Sequence, residues 1–165
     1  NRRLAKVDAH PTYNFMCGFP TETIEDLKKT SHLALKLIDE NPKARITHIT
    51  VYTPYPGSVL FEEVCKLGFR PPETLEGWAT FEMDTPHMAW VPHENLKYIE
   101  GLFVSSLFVD MKSEDGISSD AVRTFATLYR PFARYRMKKM NFDFLIEKRL
   151  KDMYIQFREG MLPEL

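Results

Sequence analysis

Twice within residues 1–68 the chain runs from a short apolar segment, through a turn rich in glycine and proline, into a helix. That repeat limits the possible folds more than any other feature. Tyr13-Asn14-Phe15-Met16-Cys17 predicts a buried strand that meets a tight turn at Gly18-Phe19-Pro20. Thr23 then stands three residues before Asp26 in a capping-box pattern, and Ile24, Leu27, Ala34, Leu35 and Ile38 follow at helical spacing. Asn41-Pro42 stops that helix. Ile46 to Tyr52 predicts a second, β-branched strand, and Thr53-Pro54-Tyr55-Pro56-Gly57 a rigid turn. Ser58 is expected to cap a short helix carrying Val59, Leu60, Val64 and Leu67, which Gly68 ends. Strands alternating with helices imply parallel pairing through right-handed crossovers, hence an α/β sheet or barrel. Two strands make no stable sheet alone, so further strands are expected from upstream sequence. The lack of an initiator Met fits a segment of a longer polypeptide.

The remainder differs in character. Residues 69–92 hold many prolines and both tryptophans without a clear period, and are expected to form an ordered crossover loop. Residues 93–165 read as a helical region, with helices over 93–112, 118–130, 132–140 and 142–158 separated at Gly116, Pro131 and Asn141. A hydrophobic share of 44%, with 13% aromatic, is enough to bury a core and argues against disorder. The 22 basic and 23 acidic side chains leave a net charge of -1, which gives no reason to expect nucleic acid as a partner. No run of apolar residues reaches the ~20 needed for a membrane span. Cys17 and Cys65 are in no metal-ligand spacing and read as reduced thiols, so a cytoplasmic location is expected. Between Arg123 and Lys151 nine basic residues face two acidic ones, a surface excess whose role the sequence leaves open. Phe132, Tyr135, Met137, Phe142 and Phe144 are expected in the core rather than on an RNA-stacking platform.

The two turns are the candidate site. A glycine at a strand's end lets a ligand approach the backbone, and the following helix aims unpaired N–H groups at that place. Ligands collect where parallel strands end at their carboxyl side, and both turns lie there. Strand alternation puts Asn14, Met16 and Gly18 on one face, with Ile46, His48, Thr50 and Tyr52 on the matching face of the next strand. That more polar face is expected to line a lumen. Tyr13, Phe15 and Cys17, with Thr47, Ile49 and Val51, are expected to meet outer helices. Glu22 offers either a general base or a brace for the turn.

The segment Phe15 to Thr23, a helix containing Glu25-Asp26, and then Tyr52-Thr53-Pro54-Tyr55-Pro56-Gly57-Ser58 resemble the last two βα units of radical S-adenosylmethionine (radical SAM) enzymes. Those enzymes commonly write the two turns as Gly-Phe-Pro-Gly-Glu-Thr and Tyr-x-Pro-Tyr-Pro-Gly-Thr. Val59-Leu60-Phe61-Glu62-Glu63, Gly68-Phe69, Leu75-Glu76-Gly77-Trp78 and the stretch from Arg130 to Leu150 are similar to the radical SAM group with an N-terminal cobalamin-binding domain.

The resemblance implies the C-terminal βα units of a partial (β/α)6 TIM-like barrel over 1–68, followed by an α-helical C-terminal region. It implies that Asn14, Met16, Gly18, Phe19, Pro20, Glu22, Tyr52, Thr53 and Pro54 contact S-adenosylmethionine. His48 and Tyr55 would touch a small-molecule substrate. Reductive cleavage of S-adenosylmethionine at a 4Fe–4S cluster would then drive a radical modification, such as methylation or oxidative cyclisation, with cobalamin as a further cofactor upstream. Two departures stand out. Thr21 occupies a usual glycine place, and the Cys-x-x-x-Cys-x-x-Cys cluster motif is absent, so this chain by itself is expected to be inactive. The competing expectation is a non-catalytic α/β module whose helical tail binds a partner. A cysteine triad upstream discriminates the two.

Overall fold

The computed structural model describes residues 1–79, 88–110, 120–144 and 149. After a short 3-10 turn at Leu4–Lys6 come β1 (Thr12–Tyr13), β2 (Met16–Cys17), α1 (Ile24–Glu40), β3 (Arg45–Ile46), β4 (Thr50–Val51), α2 (Phe61–Lys66), α3 (Leu75–Ala79), α4 (His93–Val109) and α5 (Asp120–Lys139). The protein is mixed α/β with parallel pairing: β1 lies beside β3 and β2 beside β4.

Each expected strand is therefore interrupted, and the interruptions differ by one residue. Pro11, Tyr13, Phe15 and Cys17 accept backbone bonds from Arg45, Thr47, Thr50 and Tyr52 in turn. The acceptors advance by two each time, whereas the donors advance by two, three and two, so residues 47–49 carry a bulge. The register confirms it: Tyr13 pairs with Ile46, but Met16 pairs with Thr50. One extra residue inverts the faces. Ile46 shares a face with Tyr13, and Thr50 lies opposite, beside Met16. The expectation that Ile46, His48, Thr50 and Tyr52 share one face is corrected accordingly. Cys17, Ile49 and Val51 are buried, whereas Asn14 and Met16 are exposed.

The far rim of β3–β4 is met by α4. Ser106 Oγ accepts the Ile49 N–H at 2.8 Å, and Asp110 Oδ2 accepts the Ile46 N–H at 2.7 Å. Two side chains one helical turn apart thus stand in for a neighbouring strand, covering an edge that would otherwise be unpaired. α4 can sit so deep because it is apolar nearly all round. Ile99, Leu102, Phe103, Val104 and Val109 are all buried, and the helix packs on α1, α5 and β4.

α1 begins with a full capping box, Thr23 and Asp26 each accepting the other's backbone N–H, and ends at Asn41. Its Ser31 hydroxyl donates to Met137 O at 2.9 Å, and His32 meets Lys138 O at 3.0 Å. α1 thereby satisfies carbonyls at the C-terminal end of α5 that the helix itself cannot.

The expectations for α5, for Ser58 with Val59 and for the start of the 142–158 helix are also corrected. α5 runs unbroken through Pro131, joining what were expected to be two helices. Pro131 and Thr127, the residue four positions earlier, both lie on the exposed side of the helix. Phe132, Tyr135 and Phe144 are exposed rather than in the core, whereas Met137 and Phe142 do lie inside. Ser58 does not cap α2: its hydroxyl donates to Tyr55 O, and Val59 is exposed rather than packed. The segment 69–92 contains the short helix α3, and part of it lies outside the described residues. Of the expected helix over 142–158, residues 142–144 are non-helical, and most of the rest lies outside the described residues. Among the described residues no helix is long and apolar enough to cross a membrane.

Candidate functional site

β2 and β4 run in the same direction with Cys17 opposite Val51, so the turns that follow them emerge side by side. Tyr52 N–H donates to Cys17 O at 2.7 Å, the last rung before both chains turn. Gly18 adopts φ +83°, in the left-handed region. A Cβ placed there would lie 3.1 Å from Val51 Cγ1 and 3.8 Å from Tyr52 N. Glycine is therefore required twice over, for conformation and for proximity to the neighbouring strand.

Four side-chain hydrogen bonds hold this turn. The Glu22 carboxylate accepts the Gly18 N–H at 2.6 Å and the Phe19 N–H at 3.4 Å. Trp90 Nε1–H donates to Gly18 O at 2.8 Å, and Asn95 Nδ2–H donates to Glu22 O at 3.2 Å. The amides that a βα turn offers to an anion are thus already engaged by the chain's own carboxylate. Glu22 acts as a brace.

Around the turn the aromatic rings touch in a continuous chain. Phe19 lies over Tyr52 at 5.1 Å, Tyr52 meets Trp90 edge-on at 6.0 Å, and Trp90 meets Phe69 at 5.5 Å. In the second turn Tyr52 and Pro54 are buried, Thr53 is half-buried, and Tyr55 to Ser58 are exposed. Asn14, Met16 and half-buried Thr50 share the open face that leads up to Gly18. Phe19 and Pro20 are half-buried at its end. His48 stands apart from the turn, its ring edge-on to Phe103 of α4 at 5.5 Å. Tyr55 is exposed beside Trp78, with ring centres 5.9 Å apart.

Trp90 and Asn95 are the residues that sequence reasoning missed. A tryptophan just before a helix start, with an indole N–H in need of an acceptor, was the available signal for the first. Asn95 carried none, because an asparagine in the first turn of a helix is commonplace.

Burial raises the Glu22 pKa above its ordinary 4.5; the Gly18 and Phe19 amides oppose that rise, and Asp26 adds slightly to it. For an acid with a raised native pKa, the associated stability is complete below the unfolded-state pKa and lost as pH climbs through the native one. Glu22→Gln keeps an acceptor for Gly18 but removes the ionisation. Thermal melts should therefore show the wild type losing stability relative to Glu22→Gln as pH rises from the ordinary glutamate range. Parallel curves for the two proteins would refute this.

Burial and Glu22 both push the Cys17 thiol pKa up, so it remains protonated and is a poor metal ligand. Among the described residues no three His, Cys, Asp or Glu side chains cluster in a metal-binding arrangement. Comparison with protein-family models, curated proteins and solved structures finds no match for this chain.

Proposed function

We propose that this chain is the C-terminal part of a radical SAM enzyme, in which the ends of β2 and β4 form a wall against the adenosine of S-adenosylmethionine. The observation that supports this reading best is the adjacency of the two turns. Cys17 pairs with Val51 and accepts the Tyr52 N–H at 2.7 Å, so one nucleoside can touch both strand ends at once.

In this reading the residues of the chain bind and orient. Gly18 lets the first turn lie close against Val51, and Glu22 fixes that turn by holding its two amides. Phe19 and Pro20 frame the nucleoside, and Thr53 and Pro54 offer backbone groups from the second turn. The open face of Asn14, Met16 and Thr50 continues the wall toward the reacting end. His48 and Tyr55 are the proposed substrate contacts.

When bound, S-adenosylmethionine and a 4Fe–4S cluster would supply the radical chemistry. The cluster's thiolates are assigned to upstream sequence, since neither a protonated Cys17 nor a lone Cys65 provides the set of three. Completion of the partial (β/α)6 barrel by upstream strands, and a cobalamin-binding domain before it, belong to the same proposal. The product would be a methylated or oxidatively cyclised small molecule.

The test is anaerobic reconstitution of the polypeptide that contains this chain, with iron, sulfide, a strong reductant and S-adenosylmethionine. Formation of 5′-deoxyadenosine is the expected result. A loaded cluster that yields none overturns the reading.

A further inference from the structure

The first turn is held in two different ways, and the difference gives residues 88–95 a role. Its shape is fixed locally. Glu22 Oε2 accepts the Gly18 and Phe19 N–H groups, and the Glu22 N–H donates to Phe19 O at 3.1 Å, so these bonds would travel with the turn if it moved. Its place is fixed from a distance. Gly18 O at the entry accepts Trp90 Nε1–H at 2.8 Å, and Glu22 O at the exit accepts Asn95 Nδ2–H at 3.2 Å. Both donors belong to side chains only 5% and 6% exposed, where water does not replace a lost partner.

The same residues reach the second turn. The Trp90 ring meets Tyr52 edge-on, and Tyr52 stacks on Phe19. Met88 Sδ stands 3.6 Å from the place a Gly18 Cβ would occupy, which Val51 Cγ1 approaches at 3.1 Å. Asn95 is itself firmly rooted. Its backbone N–H donates to Pro92 O at 2.8 Å, and it lies in the first turn of α4, a helix that packs on β4 and holds the Ile49 N–H through Ser106. Moving the first turn relative to β4 therefore means breaking bonds to Trp90 and Asn95 or shifting α4 with it.

We propose that residues 88–95 form a clasp that sets the gap between the two turns, with Trp90 and Asn95 as positioning residues for the ligand that touches both. The inference rests on the radical-enzyme reading and adds to it where affinity for the adenosine part is set. Each residue acts through a carbonyl of the first turn rather than by touching the ligand. The base and ribose are held alike before and during cleavage, so a loosened clasp weakens ground state and transition state equally: KM rises and kcat stays.

The test uses the reconstituted polypeptide that contains this chain and compares three variants with the wild type. Asn95→Leu removes one donor at nearly constant volume, and Trp90→Phe removes the other while keeping a ring. Val109→Ala truncates a buried side chain at the far end of α4, 2% exposed, and controls for a general loss of stability. The Kd for S-adenosylmethionine is read by equilibrium dialysis below every melting midpoint, and kcat and KM from 5′-deoxyadenosine formation. Both donor variants should raise Kd and KM about tenfold and leave kcat within about twofold. Val109→Ala should lower the melting temperature and leave all three constants unchanged. Trp90→Phe decides alone if Asn95→Leu does not fold. Wild-type Kd in the donor variants, or equal weakening by Val109→Ala, overturns the clasp and leaves the radical-enzyme reading standing. A wild type with a loaded cluster that forms no 5′-deoxyadenosine overturns both.

Discussion

Trp90→Ala is expected to destabilise the protein by about 3–5 kcal/mol in chemical denaturation, the usual range for truncating a buried tryptophan. The ring is only 5% exposed and joins two parts of the core, touching Tyr52 on one side and Phe69 on the other. Its removal opens a void between the Gly18 turn and α2, and it also strips Gly18 O of its indole donor. The two contributions separate with a second variant. Trp90→Phe keeps an aromatic ring but leaves a buried carbonyl unpaired, which costs about 1–3 kcal/mol. If Trp90→Phe were as stable as the wild type, the hydrogen bond would be incidental and the site would be held by packing alone. Amide hydrogen exchange at Gly18 and Phe19 adds a local readout, and both amides should exchange faster in either variant.

The second large effect centres on Gly101, in the middle of α4. Glycine costs a helix about 1 kcal/mol relative to alanine, so an interior glycine calls for a reason. The reason is Phe142, whose ring occupies the space where a Cβ would stand. Phe142 is 2% exposed, edge-on to Tyr98, with the Arg136 guanidinium 5.6 Å from its ring centre. Gly101→Leu should therefore destabilise by about 3 kcal/mol, as overpacking drives the ring from its notch. The sharper test is a reversal of sign. Gly101→Ala should destabilise the wild type yet stabilise a Phe142→Gly background by about 0.5–1 kcal/mol, because removing the Phe142 ring and its Cβ leaves only the helix preference. The same sign in both backgrounds would show that the notch is not what selects glycine.

How much of this was legible in the sequence depends on whether a feature is local. The capping box at Thr23, the stop at Asn41 and the positive φ of Gly18 are decided within a few residues, and the chain states them openly. The bulge at residues 47–49 is not local. It is a relation between two strands 33 or 34 positions apart, and neither strand carries a mark of it. The course of α5 through Pro131 was hidden for a related reason. Proline's cost falls on the residue four positions earlier, and only packing decides that Thr127 and Pro131 lie on an exposed side of the helix. The site was half legible: Gly18 and Glu22 announced themselves, whereas the contributions of Trp90 and Asn95 come from residues more than seventy positions downstream. The outward aromatics of α5 misled in the opposite direction, because apolar residues at helical spacing look the same whether they face a core or solvent.

The pair of α4 side chains that cap Ile46 and Ile49 gives the sheet a polarity of assembly. One border is sealed by groups that can accept but cannot extend a ladder, so lateral growth past β3–β4 is terminated. The backbone groups of Thr12, Asn14 and Met16 lie on the opposite flank, which is where a further strand would pair.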